Sequence, residues 1–315
     1  MENDEIILSI YVPVYNHEKY ITRALDSILM QETKYKYEVL VGEDCSTDNT
    51  RNVLKSYEKE HPNKFKIFYR EKNMNNSSCS NFLDLKKRCV GKYMICLEGD
   101  DYWTDKNKLE KQIDFLENNP EYIAVSHRCT VVDENSVPNG EVYPECLDCE
   151  YTFEHYVSNI LPGQTATLLC RNYMKMEGFD KSVLMKNLIP GDRLIYFSLL
   201  CHGKIYCMQD NMSAYRYITN GGSSFSATYR YDFNTQEHWY RELMNYAYNI
   251  KIAKAAAYAE VLYLLNVRHA IRLKHINFKT AVSVVKKNIK NKPRAIYLLL
   301  KRDINRFIFH KKIHL

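Results

Sequence analysis

Between residues 6 and 97 the chain repeats one unit, a short apolar run followed by apolar residues at helical spacing, and this alternation restricts the fold more than any other feature. Ile6 to Val12 is an apolar run closed by Pro13, after which Tyr20, Ile21, Ala24, Leu25, Ile28 and Leu29 recur with a helical period. Glu38 to Gly42 predicts a second strand, Asp48 a cap for a helix carrying Val53, Leu54 and Tyr57, and Phe65 to Tyr69 a third strand. Phe82, Leu85 and Cys89 mark another helix before the apolar run Tyr93 to Leu97. Strands that alternate with helices pair in parallel and have both faces covered, so the expected class is α/β with a Rossmann-like, mostly parallel central sheet flanked by helices.

From about residue 120 the pattern turns to short strands and loops, including Ile123 to Val132, Thr165 to Cys170 and Ile205 to Met208, and mixed pairing is expected there. Beyond Ser226 the chain reads as helices only, at 231–249, 252–268, 278–289 and 294–309, with Pro293 between the last two because proline opens helices and breaks their interiors. This predicts two regions, residues 1–225 and a helical extension over 226–315.

Three carboxylates stand in the tetrad Glu98-Gly99-Asp100-Asp101, where the fourth apolar run stops and a loop begins. Such a cluster at the carboxyl end of a buried strand repels itself unless a cation or a hydrogen-bonded ligand compensates it. Carboxylate oxygens suit hard ions such as Mg²⁺ and Mn²⁺, which take their remaining ligands from phosphate and water, so a divalent metal holding a diphosphate is the expected compensator. A solvated acidic turn is the plainer alternative. Two further polar loops fall at strand ends in the same sheet, Pro13-Val14-Tyr15-Asn16 and Glu43-Asp44-Cys45-Ser46. An aromatic ring such as Tyr15 can stack on a base, and Asp44 can accept from a base N–H or a ribose hydroxyl. Together the three loops suit a nucleoside diphosphate.

The segments 9–16 (SIYVPVYN), 41–48 (VGEDCSTD) and 97–103 (LEGDDYW) resemble, in order and spacing, the family 2 glycosyltransferases of the GT-A fold, of the kind that builds bacterial surface glycans. The resemblance covers roughly residues 5 to 225. It implies that Pro13, Tyr15, Asp44 and Ser46 line the nucleotide base and ribose. Glu98, Asp100 and Asp101 match the family's acidic motif, whose acids contact ribose and metal; the direct metal ligand is Asp100 or Asp101, and the cofactor Mn²⁺ or Mg²⁺. In Gly191-Asp192-Arg193-Leu194, at the head of an apolar helical pattern, Asp192 matches the family's general base, and as a residue type it is also a common helix cap. Arg216, in a Tyr-Arg segment before the Gly-rich stretch Asn220 to Ser224, is expected on the diphosphate with that stretch as a flap.

The chain departs from the family pattern where Ser77 stands in place of a basic residue four positions before Asn81, and where no His follows Arg216. No Gln-x-x-Arg-Trp motif occurs, which argues against a processive polysaccharide synthase. The implied reaction is inverting transfer of one sugar from a nucleotide sugar, a UDP-sugar by expectation, to a glycan or lipid-linked acceptor, as a hexosyl- or N-acetylhexosaminyltransferase. Two rivals are a nucleotidyltransferase, which lacks its Gly-rich, basic phosphate loop here, and a catalytically silent glycan-binding or scaffold protein. Trp103 could floor a sugar site or simply pack, and His127 could reach an acceptor or sit in the core.

Charge is divided along the chain. Residues 268–315 hold 14 Lys and Arg against Asp303 alone, a net of +13, so residues 1–267, with 44 − 14 = 30 basic and 38 − 1 = 37 acidic residues, carry −7. Basic residues interleaved with Ile296, Leu298 to Leu300, Ile304, Phe307 and Ile308 resemble an interfacial amphipathic helix, so the expected partner is an anionic membrane surface rather than nucleic acid, for which no recognition motif is present. An acidic start, no apolar stretch of bilayer length and ten scattered Cys predict a reduced protein at the cytoplasmic face of the membrane, a possible homo-oligomer. Cys146 and Cys149 form the one metal-like near-pair, with no second pair or His at zinc-ribbon spacing.

Overall fold

Every strand–helix unit expected before residue 97 forms in the computed structural model, which describes residues 5–74, 80–186, 188, 190–218 and 231–309. The elements run β1 (Leu8–Val14), α1 (Ile21–Leu29), β2 (Tyr37–Glu43), α2 (Thr50–Glu60), β3 (Lys66–Tyr69), α3 (Asn81–Arg88) and β4 (Tyr93–Cys96). All seven residues of β1 are buried, as a central strand covered on both faces requires. On α1, Ile21, Ala24, Leu25 and Ile28 form the inward stripe. β1 pairs in parallel with both β2 and β4, and β2 with β3, in the order β3-β2-β1-β4. The chain winds outward from β1 to β3 and then returns to the other side of β1. The crevice beyond the carboxyl ends of β1, β2 and β4 is therefore the ligand position of such a sheet.

The second half is mixed, as expected. It comprises β5 (Tyr102–Trp103), α4 (Lys108–Asn118), β6 (Tyr122–Val132), β7 (Glu150–Tyr151), α5 (Phe153–Val157), β8 (Leu169–Arg171), α6 (Gly191–His202) and β9 (Lys204–Arg216). β8 lies antiparallel between β4 and β6, while β9 runs parallel to β6 and antiparallel to β5 and β7. The last strand is much longer than its apolar signal at Ile205 to Met208, because pairing with β6 carries it to Arg216.

Four helices follow: α7 (Phe233–Asn249), α8 (Ala253–Arg272), α9 (Phe278–Asn288) and α10 (Lys292–Phe309). Asp232 and Asn277 cap α7 and α9 by accepting from the backbone N–H groups of Thr235 and Thr280 at 2.8 and 2.9 Å. Pro293 falls in the first turn of α10, where its missing N–H costs nothing. These helices share a core with the sheet. Tyr258 stacks on Phe153 at 5.6 Å between ring centres, Tyr246 donates its hydroxyl to the Asp180 carbonyl at 3.1 Å, and one buried cluster runs from Tyr11 and Met94 through Tyr156 to Leu262 and Ala295. The helices from Phe233 onward thus share one core with the sheet. Among the described residues no helix is long and apolar enough to cross a membrane.

Candidate active site

The loops after β1 and β2 are laced to each other before any ligand is considered. Asn16 and Cys45 turn the chain in the left-handed region, at φ 57° and 60°. The Asn16 N–H then reaches the Ser46 hydroxyl at 3.0 Å, and the Asn16 carbonyl oxygen of its side chain accepts from the Thr47 N–H at 2.8 Å. Asp44 donates its backbone N–H to the Val14 carbonyl at 2.9 Å, and its carboxylate accepts from the Met74 N–H at 2.8 Å. Burial raises the Asp44 carboxyl above the usual range. Pro13 is buried and Tyr15 half-buried, so Pro13, Tyr15, Asp44 and Ser46 occupy one rim of the crevice, as the sequence predicts. Asp48 does not cap α2 itself; it accepts from the N–H groups of Thr50 and Glu18, bracing the same rim.

The tetrad follows β4 directly. Leu97 donates to the Tyr11 carbonyl and Gly99 to that of Pro13, which carries the acids along the end of β1. Gly99 is required by close approach, since a Cβ there would stand 2.7 Å from Nδ1 of His17. The three acids differ in surroundings. Asp101 is buried, its two oxygens accepting from the Arg216 N–H and from the Gln164 amide, each at 2.7 Å. Glu98 is half-buried and receives the same Gln164 amide at 3.2 Å. Asp100 is more open, with Nε2 of His17 at 3.8 Å.

Electrostatics set this corner apart. Burial, then the charges of Asp100 and Asp192, push the Glu98 carboxyl up to about 8. Burial, then Asp100 and Glu98, push Asp101 well above the carboxylate range. Such a surplus of acids is what a divalent cation would relieve, and hard oxygen donors suit Mg²⁺ or Mn²⁺, so these residues fit the metal that the sequence implies.

Asp192 lies near enough to Glu98 for its charge to help raise that carboxyl, although 94 residues separate the two. Pro190 holds the cap position of α6 and Asp192 sits within the first turn, accepting from the Arg193 N–H at 2.8 Å. It is therefore not the cap. The tetrad, Asp192 and the β1–β2 rim meet in one place.

One reading changes and two open ones resolve. Arg216 is buried, and four of its five N–H groups go to the carbonyls of Asp100, Asp133 and Glu134 and to the Ser136 hydroxyl, with Tyr20 under its guanidinium at 4.2 Å. It clamps the tetrad loop and has little left for a diphosphate. Trp103 is buried beneath the sheet and donates to the Ala166 carbonyl at 3.0 Å, so it packs rather than floors a sugar site. His127 is a core residue bound to the Arg128 carbonyl, and burial lowers its pKa well below the usual value. Ser77 and residues 219–224, the expected flap, lie outside the described residues.

Sequence reasoning missed His17, Gln164 and Lys86. Burial holds Lys86 below its usual pKa, while the Cys96, Cys170 and Cys89 thiols and then Asp192 draw it back up. No local motif marks these residues, since their partners lie tens of positions away. Elsewhere the fold supplies the His that spacing denied to Cys146: Cys146, Asp148 and His155 bring ligand-type atoms within 4.8 Å of one another, at the β7 end of the sheet and apart from the tetrad.

The family profile described as glycosyl transferase family 2 matches residues 9–162, the stretch holding the β1–β2 rim and the tetrad. The chain carries a family 2 glycosyl transferase domain. Among its relatives are a protein of Mycobacterium tuberculosis with no stated function, 29% identical over 215 residues, and the putative teichuronic acid biosynthesis glycosyltransferase TuaG of Bacillus subtilis, 28% identical over 227 residues. The first alignment covers 68% of this chain and 60% of the mycobacterial protein; the second covers 71% of this chain and 84% of TuaG. A likeness of fold extends beyond the profile. The crystal structure of Staphylococcus aureus TarS residues 1–349 in complex with UDP-GlcNAc superposes with a TM-score of 0.66 at 15% identity, covering 96% of this chain and 92% of that TarS fragment. At that identity the likeness is one of fold, a GT-A sheet with helices after it.

Proposed function

We propose that the protein is an inverting glycosyltransferase that moves a sugar from a UDP-sugar to a hydroxyl of a surface-glycan or lipid-linked acceptor. The observation that carries this reading is the nearness of Asp192 to the acidic tetrad, whose Glu98 carboxyl its charge raises, beside the β1–β2 rim. Pro13, Tyr15, Asp44 and Ser46 hold the base and ribose, and Glu98 contacts the ribose side of the diphosphate. Asp100, the most open acid, is the metal ligand; Asp101 orients the loop through Gln164 and Arg216. A bound Mg²⁺ or Mn²⁺ supplies Lewis-acid stabilisation of the leaving diphosphate. Asp192 accepts the acceptor hydroxyl proton as that oxygen attacks C1 of the donor sugar, and a single displacement inverts the anomeric centre. The name of TuaG and the UDP-GlcNAc held by TarS support a UDP-sugar and a cell-surface acceptor.

The C-terminal helices give the enzyme a membrane-facing side. On α10, Ile296, Leu300, Ile304 and Phe307 lie exposed at helical spacing, flanked by Arg294 and Lys301. That stripe docks on an anionic cytoplasmic leaflet where a lipid-linked acceptor is presented. The function is tested by titrating UDP and UDP-sugars into the full chain with and without Mn²⁺. A ligand at 100 times its Kd adds about 2.7 kcal/mol of stability, enough to see as a thermal shift. No shift with any UDP ligand, with metal present, would refute the donor assignment.

A further inference from the structure

A second cavity, of about 630 Å³, opens on the other side of the α6 head, bounded by α6, α7, α8 and α10. Pro190 and Arg193, the residues around Asp192, line it, together with Arg268, His269, Arg272, Arg302 and Trp239. Among the described residues its lining contains four arginines and no carboxylate. Among the described residues the carboxylate paired with them is Asp303, which Arg268 and Arg302 share. Arg193 has neutral acceptors, the Asn159 side chain and the Tyr156 carbonyl, and Arg272 stands 3.5 Å from Nδ1 of His269. Burial and the Arg272 charge lower the His269 pKa, another sign of a positive field. Trp239 is 3% exposed and forms part of the cavity wall.

We infer that this cavity binds a phosphate group carried by the acceptor, holding it beside the base while the tetrad holds the donor. Guanidinium groups match phosphate oxygens in paired hydrogen bonds. The inference rests on the transferase reading only for calling that ligand the acceptor; the anion site stands on the cavity itself. Placement under α10 suits a phosphate that arrives with a membrane-bound molecule.

The probe is sn-glycerol 3-phosphate, titrated into the full chain at low salt with a chelator present, so that a metal at the tetrad contributes nothing. Saturable binding is expected, weakened about tenfold or more in Arg272→Gln and several-fold in Arg268→Gln, with UDP affinity measured separately in Mn²⁺ unchanged in both. Preserved UDP binding and melting temperature show that the variants fold. Absence of saturable binding in the parent chain, or binding untouched by both substitutions, overturns the site. Vesicles of phosphatidylglycerol identify the source: competition by the soluble ester assigns a lipid headgroup phosphate to the cavity, whereas ester binding without competition assigns a phosphate on the glycan. If UDP fails to bind but the ester binds as described, the donor reading falls and the anion site remains.

Discussion

Glu98 retains its proton up to about pH 8 because burial and the charges of Asp100 and Asp192 oppose its ionisation. The unfolded carboxyl titrates near 4.5, so between that pH and about 8 the folded chain holds a proton that the unfolded chain has released. Stability contributed by this group is present below 4.5 and is lost as pH rises toward 8. The metal-free protein is expected to melt lower at pH 8 than at pH 6, and Mg²⁺ to raise the melting temperature more at pH 8. Glu98→Gln should flatten the slope, and an equal Mg²⁺ response at both pH values would contradict the tetrad as its site. Asp192→Asn keeps the shape and the oxygen that accepts from Arg193 but removes the base. Transfer should fall by roughly 10² to 10⁴ with donor affinity retained, read from initial rates and UDP titration. Normal transfer would make Asp192 structural. These acids were legible as residues because carboxylates at strand ends are rare without a ligand; the partners that tune them were not.

Among the elements, the β4 end and the loop before α1 touch where Gly99 meets His17. Gly99→Ala would push a methyl to 2.7 Å from the His17 ring and 3.1 Å from Val14. Overpacking of this kind costs about 1–3 kcal/mol, so the melting temperature and UDP affinity should both fall. His17→Ala in the same chain should restore part of the stability, because the two changes share one contact. Additive losses in the double variant would show that the contact is not the cause. The strand–helix alternation was legible because each of these elements buries a periodic stripe. β9 was read short, because its stretch beyond an irregularity, Asn211 to Arg216, is carried by pairing with β6 rather than by its own pattern.

For the whole molecule, the sheet and the C-terminal helices share one core, which changes how the membrane reading is tested. Removing α10 would uncover the α8 face on which the buried Ala295 packs, so loss of binding by a truncated chain would not isolate the surface. Leu300→Gln with Phe307→Ser alters only exposed positions. Flotation with anionic liposomes should recover the parent chain at low salt and much less of it near 1 M salt, where the Debye length falls from about 10 Å at 0.1 M to about 3 Å. The double variant should stay in solution with its melting temperature unchanged. A parent chain that never floats, or a variant that floats as well as the parent, removes the membrane surface from the account.

By itself the sequence determined the α/β class, the three strand-end loops with Tyr15, Asp44 and the tetrad, and the basic, helical end. Each of these is a local signal: hydrophobic period, turn chemistry or charge within a short window. Tertiary structure alone decided that the charge of Asp192 acts on Glu98, that Arg216 clamps the tetrad instead of reaching outward, and that Trp103 is buried packing. It also decided that four arginines from α6, α8 and α10 converge on one cavity. Those outcomes depend on which distant elements the shared core brings into contact, and on which hydrogen-bond donors are already taken there. No pattern confined to neighbouring residues contains that information.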